Sequence, residues 1–142
     1  MPDDPVDRVA PMPSVFTRII NGELPGRIVY SDEHVVAFLT IAPIRPGHTL
    51  VVPRTEIDHW IDLPDDLQTA LWSAAATVGR AIDAAFRPRR VAALVAGLEV
   101  PHVHVHLLPI EDETQIDFRL ADHNPDSAEL DAVAERIRAA LG

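Results

Sequence analysis

Histidine and aliphatic residues alternate through the segment 102–107, and this alternation constrains the fold more than any other feature of the chain. A period of two is the period of a β-strand, in which successive side chains point to opposite faces of the sheet. One face therefore carries three imidazoles, about 7 Å apart along the strand, and the other face is apolar. The two sets are His102, His104 and His106, and Val103, Val105 and Leu107. The apolar face predicts a core contact, and the histidine face predicts a functional site.

The chemistry of clustered imidazoles favours a reaction at phosphorus. A free imidazole has a pKa near 6.5, so it is mostly a neutral nucleophile, base or metal ligand at neutral pH. Protonation of one ring disfavours protonation of the next through like-charge repulsion. We therefore expect the central ring, His104, to attack phosphorus and form a covalent phosphorus–nitrogen adduct, while His102 and His106 donate to phosphate oxygens. Water would then complete the second step.

Three other interpretations of the array remain open at this point. The three rings could bind zinc, although a tetrahedral site usually recruits ligands from different elements, and His102 and His106 would have Cα atoms about 14 Å apart on a strand. The array could also be a pH-responsive binding module without catalysis. The last interpretation is a solvated strand with incidental histidines.

Length and composition favour one folded domain. The chain has 142 residues, of which 47% are hydrophobic and 24% charged, and these values predict a single globular domain over residues 14–142. The net charge of −10 argues against a nucleic-acid partner, which needs a basic surface. No apolar run approaches the roughly 20 residues that cross a bilayer, so no membrane partner is expected.

Cysteine content and the N-terminal segment bear on the location of the protein. The chain has no cysteine, so disulfides, thiol nucleophiles and thiolate metal sites are excluded. Residues 1–13 lack the basic and apolar regions of a signal peptide. We expect this segment to be a flexible tail and the protein to be cytoplasmic.

Hydrophobic periodicity and turn residues predict an α+β fold. The predicted strands cover residues 27–30, 35–40, 48–53 and 91–95, and the histidine segment from Pro101 is the fifth. A short helix runs from Ser14 to the Asn-Gly pair at 21–22. A long helix begins near residues 63–64 with Asp62 as its N-cap, and a final helix opens at Asp126.

Several segments together resemble one known superfamily. The run 102–108 is similar to the signature of the histidine triad (HIT) superfamily, and specifically of its actinobacterial-type nucleotide-binding and hydrolase branch. Residues 16–25 resemble the entry helix of that family, and residues 36–43 and 46–54 resemble its nucleotide-side strands. The resemblance covers most of residues 14–110 in the order of the family.

The resemblance implies a HIT-like fold, a five-stranded antiparallel sheet with one long and two shorter helices, usually paired as a homodimer. It also implies a purine nucleotide or nucleotide conjugate as ligand and no metal or other cofactor. The implied reaction is hydrolysis or transfer at the α-phosphate of a nucleoside phosphoramidate or dinucleoside polyphosphate, through a nucleotidyl-histidine (phosphohistidine) intermediate.

The resemblance also assigns catalytic roles. It makes His104 the nucleophile, gives His106 a contact with the α-phosphate, and gives His102 an orienting role through hydrogen bonds. His48 matches a fourth histidine that supports the triad from a neighbouring strand.

The expected nucleotide-binding residues are Ile20, Phe38, Thr40, Ile41 and Glu99. Ile20, Phe38, Leu39 and Ile41 would form an apolar slot for the base. Thr40 stands where many members carry an aspartate that accepts both ribose hydroxyls, and Glu99 adds a carboxylate near the phosphate site. These two departures keep open a nucleotide sensor that binds without reacting.

Overall fold

The computed structural model describes residues 12–142. The tail predicted for residues 1–13 lies outside this range except for Met12 and Pro13, which are exposed. Within the described range, no helix combines the length and the apolar character needed to cross a membrane.

Five antiparallel strands form one sheet in the spatial order β1-β2-β3-β5-β4. Their bounds are β1 Ile28–Ser31, β2 Val35–Leu39, β3 Thr49–Pro53, β4 Arg90–Leu94 and β5 Val105–Ile110. The predicted five-stranded antiparallel α+β fold is thus confirmed. The fourth strand begins and ends one residue earlier than predicted.

Three helices accompany the sheet, one long and two shorter, as predicted. They are α1 Val15–Ile20, α2 Asp65–Phe86 and α3 Ser127–Leu141. Ser14 and Asp126 cap the two shorter helices with their side chains. The prediction of Asp62 as the N-cap of α2 was wrong, because Asp62 ends a separate 3-10 turn at Trp60–Asp62 and Pro64 occupies the cap position.

The sheet has a core on each face. Alternate residues of β2 and β3 pack against α2 and α3, and the intervening residues pack against α1, so all residues of both strands are buried. Strands buried on two faces are continuously apolar rather than alternating. The core on the α1 side includes Phe16, Ile19, Phe38 and Leu50. Because Leu50 pairs with His106 across the sheet, α1 lies on the face that carries the histidines.

The histidine segment enters the sheet later than predicted. β5 begins at Val105, so Pro101, His102 and His104 precede the regular strand. The ladder stops because the partner strand β3 ends at Pro53, which has no N–H to donate. The Pro53 carbonyl instead accepts a hydrogen bond from the His102 ring at 2.7 Å.

The apolar side of the histidine segment behaves as predicted. Val103, Val105 and Leu107 are buried in the core with α2 and α3. Full burial of an aliphatic side chain of this size stabilises the fold by roughly 1.5–3 kcal/mol. This anchoring holds the histidine segment against the sheet where the regular ladder is absent.

Substitution at Gly47 tests how the turn before His48 depends on glycine. Gly47 has φ +99°, and a Cβ there would lie 3.1 Å from Pro109 and 3.2 Å from Phe86. Gly47→Ala should therefore lower the free energy of unfolding by about 1–3 kcal/mol in urea titrations. Gly79→Ala, within α2, is the matched control, because a Cβ there meets no atom within 4 Å. This change should raise the free energy of unfolding by up to about 1 kcal/mol. Equal effects of the two changes would contradict this account.

Candidate active site

Four histidines converge on the α1 face of the sheet. Their exposed fractions are 0% for His102, 3% for His48, 6% for His104 and 9% for His106. The ring centroids of His104 and His106 are 4.8 Å apart. The expected spacing of about 7 Å was wrong, because His104 precedes β5 and does not follow the geometry of a regular strand.

Hydrogen-bond partners assign the protons of His48 and His106. The Ile44 backbone N–H donates to Nδ1 of His48 at 3.1 Å, so the neutral His48 ring carries its proton on Nε2. That Nε2–H donates to Nδ1 of His106 at 2.9 Å. His106 in turn carries its proton on Nε2, which is therefore a donor.

A second set of hydrogen bonds assigns the proton positions of His102 and His104. Nε2–H of His102 donates to the Pro53 carbonyl, so its Nδ1 is an acceptor, 2.6 Å from the Ser14 hydroxyl. The expectation that His102 donates to a phosphate oxygen was therefore wrong, because its one N–H is already used. The carbonyl of His102 accepts a hydrogen bond from Nδ1–H of His104 at 2.7 Å. Nε2 of the neutral His104 ring consequently carries an unshared electron pair.

Burial keeps the array uncharged. Burial lowers the pKa of His106 to about 3, with further contributions from His104 and His48. Burial also lowers the pKa of His48 to about 4, with a smaller contribution from His104. The pKa values of His102 and His104 are lowered by burial as well. All four rings are therefore neutral at neutral pH.

Nε2 of His104 and Nε2 of His106 have no partner in the hydrogen-bond chains within residues 12–142. No fully buried side-chain nitrogen or oxygen of the described residues lacks a partner, so both atoms lie at the accessible surface of the site. The arrangement places a nucleophilic nitrogen next to a hydrogen-bond donor, on rings 4.8 Å apart. This pair is suited to attack on an electrophile that carries an anionic oxygen.

Two phenylalanines border the reactive rings. Phe16 of α1 meets His104 edge-to-face at 4.8 Å, and Phe118 meets His106 at 5.0 Å in the same geometry. Neither phenylalanine has a site role in the sequence-based prediction. Phe118 lies in a 3-10 turn after β5, and its one signal in the sequence is an aromatic residue within a polar stretch.

Most of the predicted nucleotide-binding residues line one cavity. A cavity of about 290 Å³ beside α1 is lined by four of the predicted residues, Phe38, Leu39, Thr40 and Ile41. Ile19, and not Ile20, faces this cavity from α1. Ile20 is half-buried and packs against the core on the α1 side instead.

Thr40 and Glu99 occupy different surroundings. Thr40 lines the cavity, and its hydroxyl oxygen accepts a hydrogen bond from the Ala42 N–H at 3.2 Å, which leaves its hydrogen free to donate. Glu99 is exposed in the bend that precedes the histidine segment and is not a lining residue of the cavity. Its negative charge acts against the lowering of the His104 pKa.

The cavity also contains an ion pair that the sequence did not indicate. Arg27 and Asp131 both line it, and the Arg27 guanidinium contacts the Asp131 carboxylate at 2.7 Å. The two residues are far apart in the chain and join β1 to α3. The cavity is therefore apolar on the sheet side and charged at its outer edge.

The metal interpretation finds no support in the geometry of the described residues. Among residues 12–142, no group of three or more histidine, aspartate or glutamate side chains is placed to hold a metal ion. His102 and His48 use both of their ring nitrogens in hydrogen bonds to protein groups. Two of the four rings thus have no nitrogen left to bind a metal ion.

Comparison with known proteins identifies the family. The HIT domain model matches residues 21–113. The chain belongs to the HIT domain family. This HIT protein is 42% identical over 99 residues to an uncharacterized HIT-like protein of Methanocaldococcus jannaschii, with 67% of this chain and 77% of the relative covered. The HIT superfamily membership indicated by the sequence resemblance is confirmed.

Two further relatives extend the comparison. The HIT protein is 31% identical over 100 residues to adenosine 5′-monophosphoramidase HNT1 of Saccharomyces cerevisiae, which covers 70% of this chain and 63% of the relative. Its fold matches a hypothetical histidine triad nucleotide-binding protein of Sulfolobus tokodaii with a TM-score of 0.79 and 27% identity, over 89% of this chain and 90% of the other. The HIT-like fold is thereby confirmed.

Stability should decrease as the pH falls from 7 to 5. The lowered pKa values of His48 and His106 mean that the unfolded chain binds protons below pH 6.5 while the folded chain does not. Each ring should lower the free energy of unfolding by roughly 2 kcal/mol between pH 7 and pH 5. Urea titrations at both pH values measure the difference in the free energy of unfolding.

Two variants isolate this effect. His106→Gln should reduce the difference between pH 7 and pH 5, because one titrating ring is removed. His34→Gln, at a side chain that is 54% exposed, should leave the difference unchanged. A wild-type protein equally stable at both pH values would contradict the conclusion that the histidines are buried in their neutral form.

Proposed function

We propose that this HIT protein is a nucleotide-binding hydrolase or transferase that acts at the α-phosphate of a nucleoside phosphoramidate or dinucleoside polyphosphate. The observation that carries the proposal is the hydrogen bond from Nδ1–H of His104 to the His102 carbonyl, which leaves Nε2 unprotonated beside the donor Nε2–H of His106. The name of the yeast relative, an adenosine 5′-monophosphoramidase, agrees with this class of reaction.

In the first step, Nε2 of His104 attacks the α-phosphorus, a phosphorus–nitrogen bond forms, and the bond to the leaving group breaks. The leaving group takes a proton from water. His106 donates its Nε2–H to a non-bridging oxygen, where negative charge is held during transfer. The His104 ring becomes cationic as its bond to phosphorus forms. The His102 carbonyl stabilises this charge through the hydrogen bond at Nδ1.

In the second step, water attacks the nucleotidyl-histidine intermediate. A phosphorus–oxygen bond forms, the phosphorus–nitrogen bond breaks and its electron pair returns to Nε2 of His104. The water releases a proton to the solvent, and a nucleoside monophosphate leaves. Nδ1 keeps its proton throughout, because it donates a hydrogen bond to the backbone carbonyl of His102 in both steps. His48 holds the acceptor side of His106, so the donor of that ring faces the phosphate in both steps.

The nucleoside would occupy the cavity of about 290 Å³ beside α1. Ile19, Phe38 and Ile41 offer apolar walls for a purine, and Thr40 offers a hydroxyl to one ribose oxygen. Adenine is the base that the yeast relative's name specifies for that enzyme. Glu99 would act through its charge on His104 and not as a ligand of the nucleoside.

Turnover of adenosine 5′-phosphoramidate to AMP tests the reaction. His104→Ala should lower the rate at least a thousandfold, because the nucleophile is lost and no other ring has a free electron pair at that place. Wild-type protein quenched during turnover should carry a covalently bound nucleotide, and His104→Ala should carry none. His34→Ala, an exposed change, should retain the wild-type rate.

Other outcomes would decide against this mechanism. Unchanged turnover in a folded His104→Ala variant would refute the nucleophile assignment. Tight AMP binding without product across phosphoramidate and dinucleoside polyphosphate substrates would identify a nucleotide sensor. Loss of turnover on chelation, with restoration by zinc, would favour the metal-binding module.

We also propose that the protein forms a homodimer through β4. At the other edge of the sheet, α3 lies beside β1, and Arg138 donates two hydrogen bonds to the Ile28 carbonyl, at 3.0 and 2.8 Å. β4 is an edge strand with partly exposed residues. Pairing of β4 with its copy would satisfy backbone groups of this edge and continue the sheet into a second protomer.

Light scattering at micromolar concentration should give twice the chain mass of 15.6 kDa. Ala93→Lys places a charge on the exposed side of β4 and should shift the mass toward that of one chain. Ala139→Lys, at an exposed site on α3, is the matched control and should leave the mass unchanged. A wild-type mass of one chain would refute the dimer.

A further inference from the structure

Glu56 makes two short hydrogen bonds that the proposed reaction leaves unexplained. Its Oε1 accepts from the Ser14 backbone N–H at 2.7 Å and from the Thr17 hydroxyl at 2.7 Å. The residue lies in the loop after β3, and its side chain is 34% exposed. These bonds lower the pKa of the Glu56 carboxyl, the Thr17 hydroxyl most and the Ser14 N–H next. The carboxylate is therefore ionised and a strong acceptor at neutral pH.

Ser14 connects this carboxylate to the histidine array. Its hydroxyl accepts from the Thr17 N–H at 3.1 Å and lies 2.6 Å from Nδ1 of His102. The Thr17 hydroxyl oxygen lies 3.3 Å from the Ser14 hydroxyl and could also accept its hydrogen. Because Nδ1 of His102 carries no proton and lies closer, the Ser14 hydroxyl donates to the ring. Ser14 is 7% exposed and His102 is 0% exposed, so water does not replace these partners readily.

The His102 ring is thereby held at both nitrogens. Ser14 donates to Nδ1, and the Pro53 carbonyl accepts from Nε2. A ring with its proton on Nδ1 would set an unshared pair of Nε2 against the Pro53 carbonyl oxygen, which is repulsive. The backbone carbonyl of the same residue accepts from His104, so the ring anchors the group that sets the proton position on the proposed nucleophile.

We propose that Glu56 is a positioning residue for the reaction at His104, acting through Ser14 and Thr17 on the ring and carbonyl of His102. The inference rests on the proposed function for its kinetic consequence. Without the carboxylate, the Ser14 N–H and the Thr17 hydroxyl lose their acceptor, and the N-terminus of α1 is free to turn the Ser14 hydroxyl away from His102. The His104 ring would then exchange its proton between Nδ1 and Nε2.

Three variants at two neighbouring acidic positions test this role. Glu56→Ala removes the acceptor and should lower kcat about tenfold while KM changes less than about twofold, because the effect reaches the nucleophile and not the nucleotide cavity. Glu56→Gln keeps an acceptor oxygen without the charge and should stay within about twofold of wild-type kcat. Asp58→Ala, at an exposed residue of the same loop, should match wild type.

A second measurement does not depend on turnover. Nitrogen-15 NMR of the imidazoles distinguishes protonated from unprotonated ring nitrogens. His104 should carry its proton on Nδ1 in wild type, Glu56→Gln and Asp58→Ala, and should show a mixture of the two neutral forms in Glu56→Ala. If wild type proves inactive on every substrate, the proposed function fails while this measurement still decides the positioning role.

Two results would overturn the inference. The first is a folded Glu56→Ala variant with wild-type kcat and an unchanged His104 spectrum. The second is a loss of kcat in Glu56→Gln as large as that in Glu56→Ala. Glutamine keeps an acceptor oxygen, so loss of the acceptor would then not explain the effect. If Glu56→Ala does not fold, Thr17→Val removes one of the two donors to Glu56 and should produce the same mixture of His104 forms to a smaller extent, and an unchanged spectrum there overturns the inference equally.

Discussion

The hydrogen bond between Nδ1–H of His104 and the carbonyl of His102 is the interaction on which the site depends. An imidazole can exchange donor and acceptor roles between its nitrogens, but a backbone carbonyl accepts only and a backbone N–H donates only. Three backbone groups therefore decide which nitrogen of each of the four rings is the donor and which is the acceptor. The Ile44 N–H orients His48 and, through it, His106, while the carbonyls of Pro53 and His102 orient the other two rings.

The fold makes these backbone groups available at points where regular pairing fails. Pro53 ends β3 without an N–H, so its carbonyl is free for the His102 ring. The turn before β3 contains Gly47 with positive φ, and it brings the Ile44 N–H to the ring of His48, four residues later. Backbone groups that a longer ladder would have consumed thus orient side chains. The apolar cores on both faces hold these interrupted segments in place.

Periodicity and turn residues predicted most of the fold, because both are local properties of the chain. They indicated the five strands, the three helices and the division of the histidine segment into a polar and an apolar face. They failed where long-range partners decide the outcome. The His102 ring binds the Pro53 carbonyl, 49 residues away, and β5 begins only at Val105. The choice between Ile19 and Ile20 was missed because a six-residue helix gives little periodic signal.

The same distinction applies to the candidate site. The pattern of histidines indicated which residues take part, and the family resemblance indicated their roles. Neither could indicate proton positions, because these depend in part on Ser14 and His48, which lie 88 and 58 residues from their ring partners. Glu56 carried no signal in the sequence that distinguishes it from a surface residue, and Phe118 carried only that of an aromatic residue in a polar stretch.

Neutrality of the array bears directly on how an acidic protein could process an anionic substrate. A chain of net charge −10 repels phosphate groups at long range, and the buried rings offer oriented dipoles instead of positive charge. Positive charge would arise on His104 only as its bond to phosphorus forms, so the electrostatic attraction would be greatest in the transition state and not in the bound substrate. Glu99, which favours the charged form of His104, acts in the same direction. Its carboxylate, expected from the sequence to lie near the phosphate site, thus favours the ionic form of His104 that the proposed reaction passes through.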